Sequence, residues 1–190
     1  MLKLASLTSL VVTGFLGALA EPAVAQSTAH STHHPAAGST TVIGTPQSIA
    51  AEHHELYEVL AKAAQESSEL GRAAQALEKA LAPHFKREEE TATPPLGLLR
   101  ALTMGEATTE MRAVLPMTNA LEKELPEMLR EHGIIRAAVQ KSRFTAVAAK
   151  RQEYIRFSDH LAAHAKQEEE ILYPAALMVG RYVARTAPTN

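Results

Sequence analysis

Four stretches of this chain repeat an apolar residue every three or four positions, and each interrupts its apolar stripe with one histidine. In the first, Ile49, His53, Leu56, Leu60 and Ala64 (or Ala63) share a face. In the second the stripe is Leu70, Ala74, Leu77, Leu81, His84 and Glu88, and in the third Leu121, Leu125, Met128, His132, Ile135 and Val139. Tyr154, Phe157, Leu161, His164, Glu168, Ile171 and Ala175 make the fourth. Steps of three and four keep side chains on one side of an α-helix, so each stripe is a face that must be buried. Four such faces predict an all-α, four-helix bundle. Aromatics at only 4% of the chain agree, because a β-sandwich core draws on aromatic and β-branched strands.

The histidines come in pairs at matched distances. His84 follows His53 by 31 residues, and His164 follows His132 by 32. Each half therefore predicts an antiparallel helix hairpin with its two histidines level. The midpoint of the first falls at Ser68-Glu69, beside Ser67 and Gly71. That of the second falls near Ala148, where no Gly or Pro marks a turn, so spacing alone places it. Thr45-Pro46 predicts an N-cap followed by proline at the first helical position. Between the halves, residues 91–118 predict a short apolar helix after Pro94-Pro95, ending at Gly105. It either lids the end of the bundle near His84 and Glu88 or simply covers core. Pro126 predicts a kink or a restart in the third helix.

A lone histidine on an apolar stripe is ordinarily a hydrogen-bonded core residue, and a glutamate triplet is ordinarily a solvated helix end. Four in-stripe histidines, two of them with glutamate at i+4, form a different pattern. Residues at i and i+4 lie about 40° apart around a helix and roughly 6 Å along it, so His84 with Glu88, and His164 with Glu168, reach one side of the bundle. Without a cation the bundle would bury several polar groups at one level, each costing about 1–3 kcal/mol unless paired. The predicted metal ligands are therefore His53, His84, Glu88, His132, His164 and Glu168. Two divalent ions with two bridging carboxylates would fit this inventory and leave positions open for an exogenous ligand. Nitrogen and oxygen ligation with open positions suits iron, with manganese or zinc as alternatives. His54 is rotated by about 100° from the stripe, which selects His53. Glu89, Glu90, Glu169 and Glu170 rotate progressively away. His160, at i−4 from His164, is a boundary histidine, a fifth imidazole or a partner of a ligand; Tyr57 and Tyr173 are near in phase and belong with the core. A ferritin-like carboxylate bundle requires Glu-x2-His. The residues three before the histidines of this region are Ala50, Ala51, Leu81, Leu129, Phe157 and Leu161, so that arrangement fails.

The ends of the chain carry different signals. Residues 1–25 predict a signal peptide: Lys3, then an uncharged apolar run from Leu4 to Leu19, then Ala23-Val24-Ala25 before Gln26. An uncleaved membrane anchor is the alternative, although Glu21 and Pro22 interrupt the run. Residues 26–44, rich in Ser, Thr, Ala and Gly, predict a flexible linker, residues 45–184 the bundle and 185–190 a tail. The expected location is periplasmic or secreted, with no membrane association after cleavage. No cysteine is present, so disulfides and thiolate metal sites are excluded. Net charge is −2, and removing residues 1–25 takes away only Lys3 and Glu21, so it stays −2. No basic stripe with interleaved aromatics exists, and no nucleic-acid partner is expected.

The set His53, His84-x3-Glu88, His132, His164-x3-Glu168, with the run Glu168-Glu169-Glu170-Ile171-Leu172-Tyr173-Pro174, resembles the hemerythrin-like (HHE) family over about residues 45–184. The resemblance implies an up-down-up-down bundle with a short helical connection between its second and third helices. It also implies a non-haem di-iron centre that binds dioxygen, nitric oxide or peroxide. Marine-worm hemerythrins carry a fifth histidine and close with His-x4-Asp, whereas the fourth helix here carries His-x3-Glu. The function expected is that of an exported di-iron protein that binds metal and a small ligand such as dioxygen or nitric oxide, for binding, sensing or iron sequestration. A redox enzyme acting on peroxide or nitric oxide, and a zinc-stabilised structural bundle, are the alternatives. The sequence identifies no protein partner.

Overall fold

The computed structural model describes residues 43–189; the expected signal segment and the linker up to residue 42 lie outside the described residues. All regular structure among the described residues is helical. Helices α1 (Gln47–Ala64), α2 (Glu69–Thr91), α4 (Leu115–Ala148) and α5 (Gln152–Gln167) run up, down, up and down. The short α3 (Leu99–Met104) lies in the connection, and α6 (Tyr173–Thr186) prolongs α5 after a π turn at Glu168–Leu172. Around the bundle α1 packs beside α2 and α5, and α4 packs beside the same two. No helix among the described residues is long and apolar enough to cross a membrane.

The first turn sits where the spacing places it. Ser68 caps α2, its hydroxyl accepting from the Gly71 amide at 3.1 Å. The second turn is at Ala149–Arg151, next to the predicted midpoint, and it is built without glycine. Lys150 takes the left-handed conformation, with φ of 55°. The Lys150 amide donates to the Val147 carbonyl and the Arg151 amide to Ala146, which satisfies the last carbonyls of α4 as a Schellman motif does.

Three local expectations are corrected. Thr45 does not cap α1: Pro46 is the N-cap, and the Thr45 hydroxyl instead meets that of Thr93 at 2.7 Å. Pro126 does not restart the third helix, since α4 runs unbroken from Leu115 to Ala148, and Pro83 is likewise carried inside α2. In each case the buried face on both sides of the proline holds the helix together. At the C-terminal end helix continues to Thr186, and Ala187 is buried and accepts from Arg112 at 3.3 Å, so the tail begins later than residue 185.

A fourth correction bears on the site. Ile171 is 58% exposed, whereas Tyr173 is 1% exposed. The π turn inserts one residue, the Tyr173 amide donating to the Glu168 carbonyl five residues back. Proline at 174 favours this, because its ring clashes with the carbonyl four residues before it in a regular α-helix. The buried face after the turn is Tyr173, Ala176, Val179, Gly180 and Val183. Gly180 lets α6 close on α4: a Cβ there would lie 2.2 Å from the Thr118 hydroxyl.

The core is two apolar blocks with a polar layer between them. One block, toward the hairpin turns, contains Leu56, Leu60, Leu77, Leu81, Phe85, Ile135, Val139 and Leu161. The other contains Ala92, Leu96, Leu121, Met128, Tyr173 and Ala176. Leu96, from the 3-10 turn Pro94–Leu98, joins this second block, and Leu98 packs with Met111, Val114, Val179 and Val183. The connection thus closes the end of the bundle beyond the polar layer, while α3 itself buries no residue.

Candidate metal centre

All six sequence-predicted ligands meet in the polar layer. His53, His84, Glu88, His132, His164 and Glu168 are each at most 2% exposed. Each helix contributes its residue at the level where the two apolar blocks part. Regular α-helix geometry delivers His84 with Glu88 and His164 with Glu168 to the same side.

The six form two groups that share Glu168. Atoms of His84, Glu88, His132 and Glu168 lie mutually within 4.8 Å, as do atoms of His53, His164 and Glu168. Glu168 reaches both groups, with Oε2 3.3 Å from His132 Nε2 and Oε1 2.7 Å from His164 Nε2 and 3.6 Å from His53 Nε2. Glu88 also divides its oxygens, with Oε1 3.5 Å from His84 Nε2 and Oε2 4.0 Å from His53 Nε2. Glu168 therefore lies between the two groups, and Glu88 belongs to the first while turning one oxygen toward the second.

The chemistry of these atoms fits a cation. The Nδ1 atoms of His84 and His132 stand 3.0 Å and 2.8 Å from Glu131 and Glu169, carboxylates that can only accept. In the neutral rings the proton is then on Nδ1 and both Nε2 atoms carry lone pairs. Those two Nε2 atoms face each other at 2.8 Å. Two acceptors at that distance repel unless a proton or a metal ion lies between them. Elsewhere His53 Nε2, Glu88 Oε2, both nitrogens of His164 and Glu168 Oε1 are buried with no hydrogen-bond partner. Their close approaches, including His164 Nε2 to Glu168, lack the direction of a hydrogen bond. Converging lone pairs without donors are what a metal ion satisfies.

Electrostatics of the metal-free chain point the same way. Burial disfavours the imidazolium of His84, but Glu88, Glu131 and Glu168 outweigh it and hold its pKa above the ordinary value. His164 is raised in the same sense, burial being overcome by Glu168, Glu52 and Glu88. Burial also works against ionised Glu168, yet His132, His164 and His53 around it keep its carboxyl well below the usual range. Glu88 has fewer imidazoles beside it, and burial, with the charge of Glu168, pushes it up. Protons therefore take the place of a cation in the metal-free site.

Tyr173, near in phase by sequence but read as core, completes the site. Its hydroxyl donates to Glu88 Oε1 and lies 3.3 Å from His132 Nε2, and its ring stacks on His132 with centroids 5.7 Å apart. Burial and the charges of Glu88 and Glu168 push its pKa upward, so it keeps its proton and donates. The sequence signal was a helix phase that holds only with one extra residue in the π turn.

His53 rather than His54 enters the centre. His53 stacks on Phe85 at 4.2 Å, while His54 is exposed and pairs with Glu58 at 3.3 Å. His160 is half-exposed and reaches Glu52 at 2.9 Å; it belongs to neither ligand group.

No curated protein and no solved structure matched the chain. The model of the hemerythrin HHE cation binding domain matches residues 46–176, a span that contains every residue of the centre. With its four-helix bundle, its buried His and Glu cluster and that match, the chain belongs to the hemerythrin HHE cation-binding domain family.

Proposed function

We propose that His53, His84, Glu88, His132, His164 and Glu168 hold two iron ions, and that the centre binds a small ligand such as dioxygen or nitric oxide in an exported protein. The observation that carries this reading is the convergence of four imidazoles and two divided carboxylates, of which His53 Nε2, Glu88 Oε2, His164 Nε2 and Glu168 Oε1 are buried with no hydrogen-bond partner among the described residues. Six side chains shared by two ions would leave coordination positions free, and the nitrogen and oxygen donor set suits iron before manganese or zinc. Bound iron would supply redox-active positions at which a diatomic ligand is held.

The chain's own residues set the conditions of that binding. Two apolar blocks keep bulk water from the layer. Glu88 and Glu168 would neutralise part of the cationic charge, and their contacts tie the two halves together. The Tyr173 hydroxyl fixes Glu88 at the His84 and His132 half. A binding role is favoured over catalysis because among the described residues the centre offers no separate acid–base pair beyond the ligands and Tyr173. The reading of export rests on the sequence of residues 1–25, and it predicts mature protein beginning near Gln26.

Optical spectra of the iron-loaded, reduced protein test the reading. Addition of dioxygen or nitric oxide should give new absorption that reverses when the gas is removed. Irreversible bleaching with turnover of added peroxide would replace binding with catalysis. A native metal content of zinc alone, insensitive to either gas, would leave a structural bundle.

A further inference from the structure

Each of the four ligand histidines turns Nε2 inward and Nδ1 outward, and each Nδ1 meets a glutamate from the neighbouring helix. Glu131 of α4 faces His84 of α2 at 3.0 Å, and Glu169, from the π turn after α5, faces His132 of α4 at 2.8 Å. Glu89 of α2 faces His53 of α1 at 3.4 Å, and Glu52 of α1 stands 3.2 Å from Nδ1 of His164 in α5, within ion-pair range but without the direction of a hydrogen bond. The four contacts close a circuit around the bundle, every helix giving one carboxylate and receiving one. All four glutamates are direct sequence neighbours of ligands: Glu52-His53, Glu88-Glu89, Glu131-His132 and Glu168-Glu169. One residue along a helix turns a side chain by about 100°, away from the centre and toward the ring of the adjacent helix.

We propose that Glu52, Glu89, Glu131 and Glu169 are positioning residues of the metal centre, holding the four imidazoles in the tautomer and orientation that present Nε2 to the metal. A carboxylate accepts but does not donate, so it fixes the proton on Nδ1 and raises the basicity of Nε2. The circuit is graded. Glu131 is anchored by Arg87 at 3.1 Å and Glu169 by Arg136 at 2.5 Å. Both serve the half of the centre made by His84 and His132. On the other half Glu52 is shared with His160, and Glu89 is 52% exposed with the longest contact. The His84 and His132 half is therefore the more rigidly held.

This inference rests on metal binding by the six ligands, and chelator competition with zinc on the full chain separates the two. Zinc binding by the wild-type protein is the first requirement; its absence overturns the ligand assignment and the circuit with it. Given binding, Glu131→Ala and Glu169→Ala should each weaken zinc affinity by about 10–100-fold. Glu52→Ala should have a smaller effect and Glu89→Ala the smallest. Glu131→Gln, whose amide oxygen still accepts from Nδ1–H, should recover part of the loss. Glu122→Ala, in the same helix as Glu131, removes an exposed partner of Arg181 in α6; it is the control and should change nothing. Equal affinities for wild type, Glu131→Ala and Glu169→Ala overturn the circuit alone, as does a loss of the same size in Glu122→Ala. A readout that needs no variant is the imidazole 15N spectrum of zinc-loaded protein. All four ligand rings should show protonated Nδ1 and metal-bound Nε2; coordination through Nδ1 overturns the proposal even if the alanine variants fail to fold.

Discussion

Tyr173→Phe removes a single buried oxygen and leaves the ring stacked on His132. That oxygen gives Glu88 its one side-chain hydrogen bond among the described residues, and Glu88 Oε2 is already without a partner. Hydrogen bonds to a charged or ionisable carboxyl contribute about 1.5–3 kcal/mol, and a buried carboxyl stripped of its donor regains no water. A domain of this size loses about 2–4 °C of Tm per kcal/mol. The metal-free variant should therefore melt about 3–12 °C below the metal-free wild type. Metal binding compensates the charge of Glu88 from the other side, so the deficit should shrink in the loaded protein. Thermal unfolding followed by far-ultraviolet circular dichroism, with and without chelator, reads both differences. Tyr182→Phe, on the exposed side of α6, is the control and should leave Tm unchanged. A Tyr173→Phe shift no larger than that control refutes the bond to Glu88 as a stabilising contact. A deficit larger in the loaded form than in the metal-free one would instead make Tyr173 a partner of the metal itself.

Gly180→Ala places a methyl group 2.2 Å from the Thr118 hydroxyl, and overpacking of that kind destabilises by about 1–3 kcal/mol; denaturant unfolding should show the loss while metal content stays at the wild-type value. Lys150→Gly relieves the left-handed conformation of an exposed L-residue and should stabilise by about 1 kcal/mol in the same assay. Metal-free stability and metal-dependent stability should change with pH in opposite directions. His84 and His164 have folded pKa values above the ordinary 6.5, so their contribution is complete below that value and disappears as pH rises through the folded values. Glu168, held well below the ordinary 4.5, contributes above that value and loses its contribution as pH falls through its folded value. Metal competes with the histidine protons, so the rise in Tm on loading should be larger at about pH 8 than at about pH 6; calorimetry giving the reverse order would show that these imidazoles are not displacing protons for metal.

Much of the centre was written in helix phase. Periodicity alone distinguishes His53 from His54, because a shift of one residue separates a core face from a solvent face. It also places Glu88 and Glu168, whose i+4 relation to a histidine survives in any straight helix. The π turn breaks that reasoning within one helix: beyond Glu168 the stripe runs through Tyr173 and Ala176, not Ile171 and Ala175. Periodicity assumes a constant number of residues per turn, and an inserted residue is visible only through Pro174 and the packing it allows. The turn at Lys150 was hidden for a related reason, since the residue in the left-handed position is a lysine where glycine is the usual signal. Pro126 misled in the opposite sense: its local cost is outweighed by apolar contacts along the rest of α4, from Leu121 to Ala146. Glu52, Glu89, Glu131 and Glu169 were out of reach because their role depends on which helix is the neighbour, and no single helix specifies that.

Elemental analysis of the purified, folded protein tests the central claim most directly. The account predicts about two metal ions per chain, a value unchanged in His54→Ala and well under half of it in His84→Ala or His164→Ala. A wild-type content near zero with helicity retained after chelation, or equal losses from His53→Ala and His54→Ala, would contradict it.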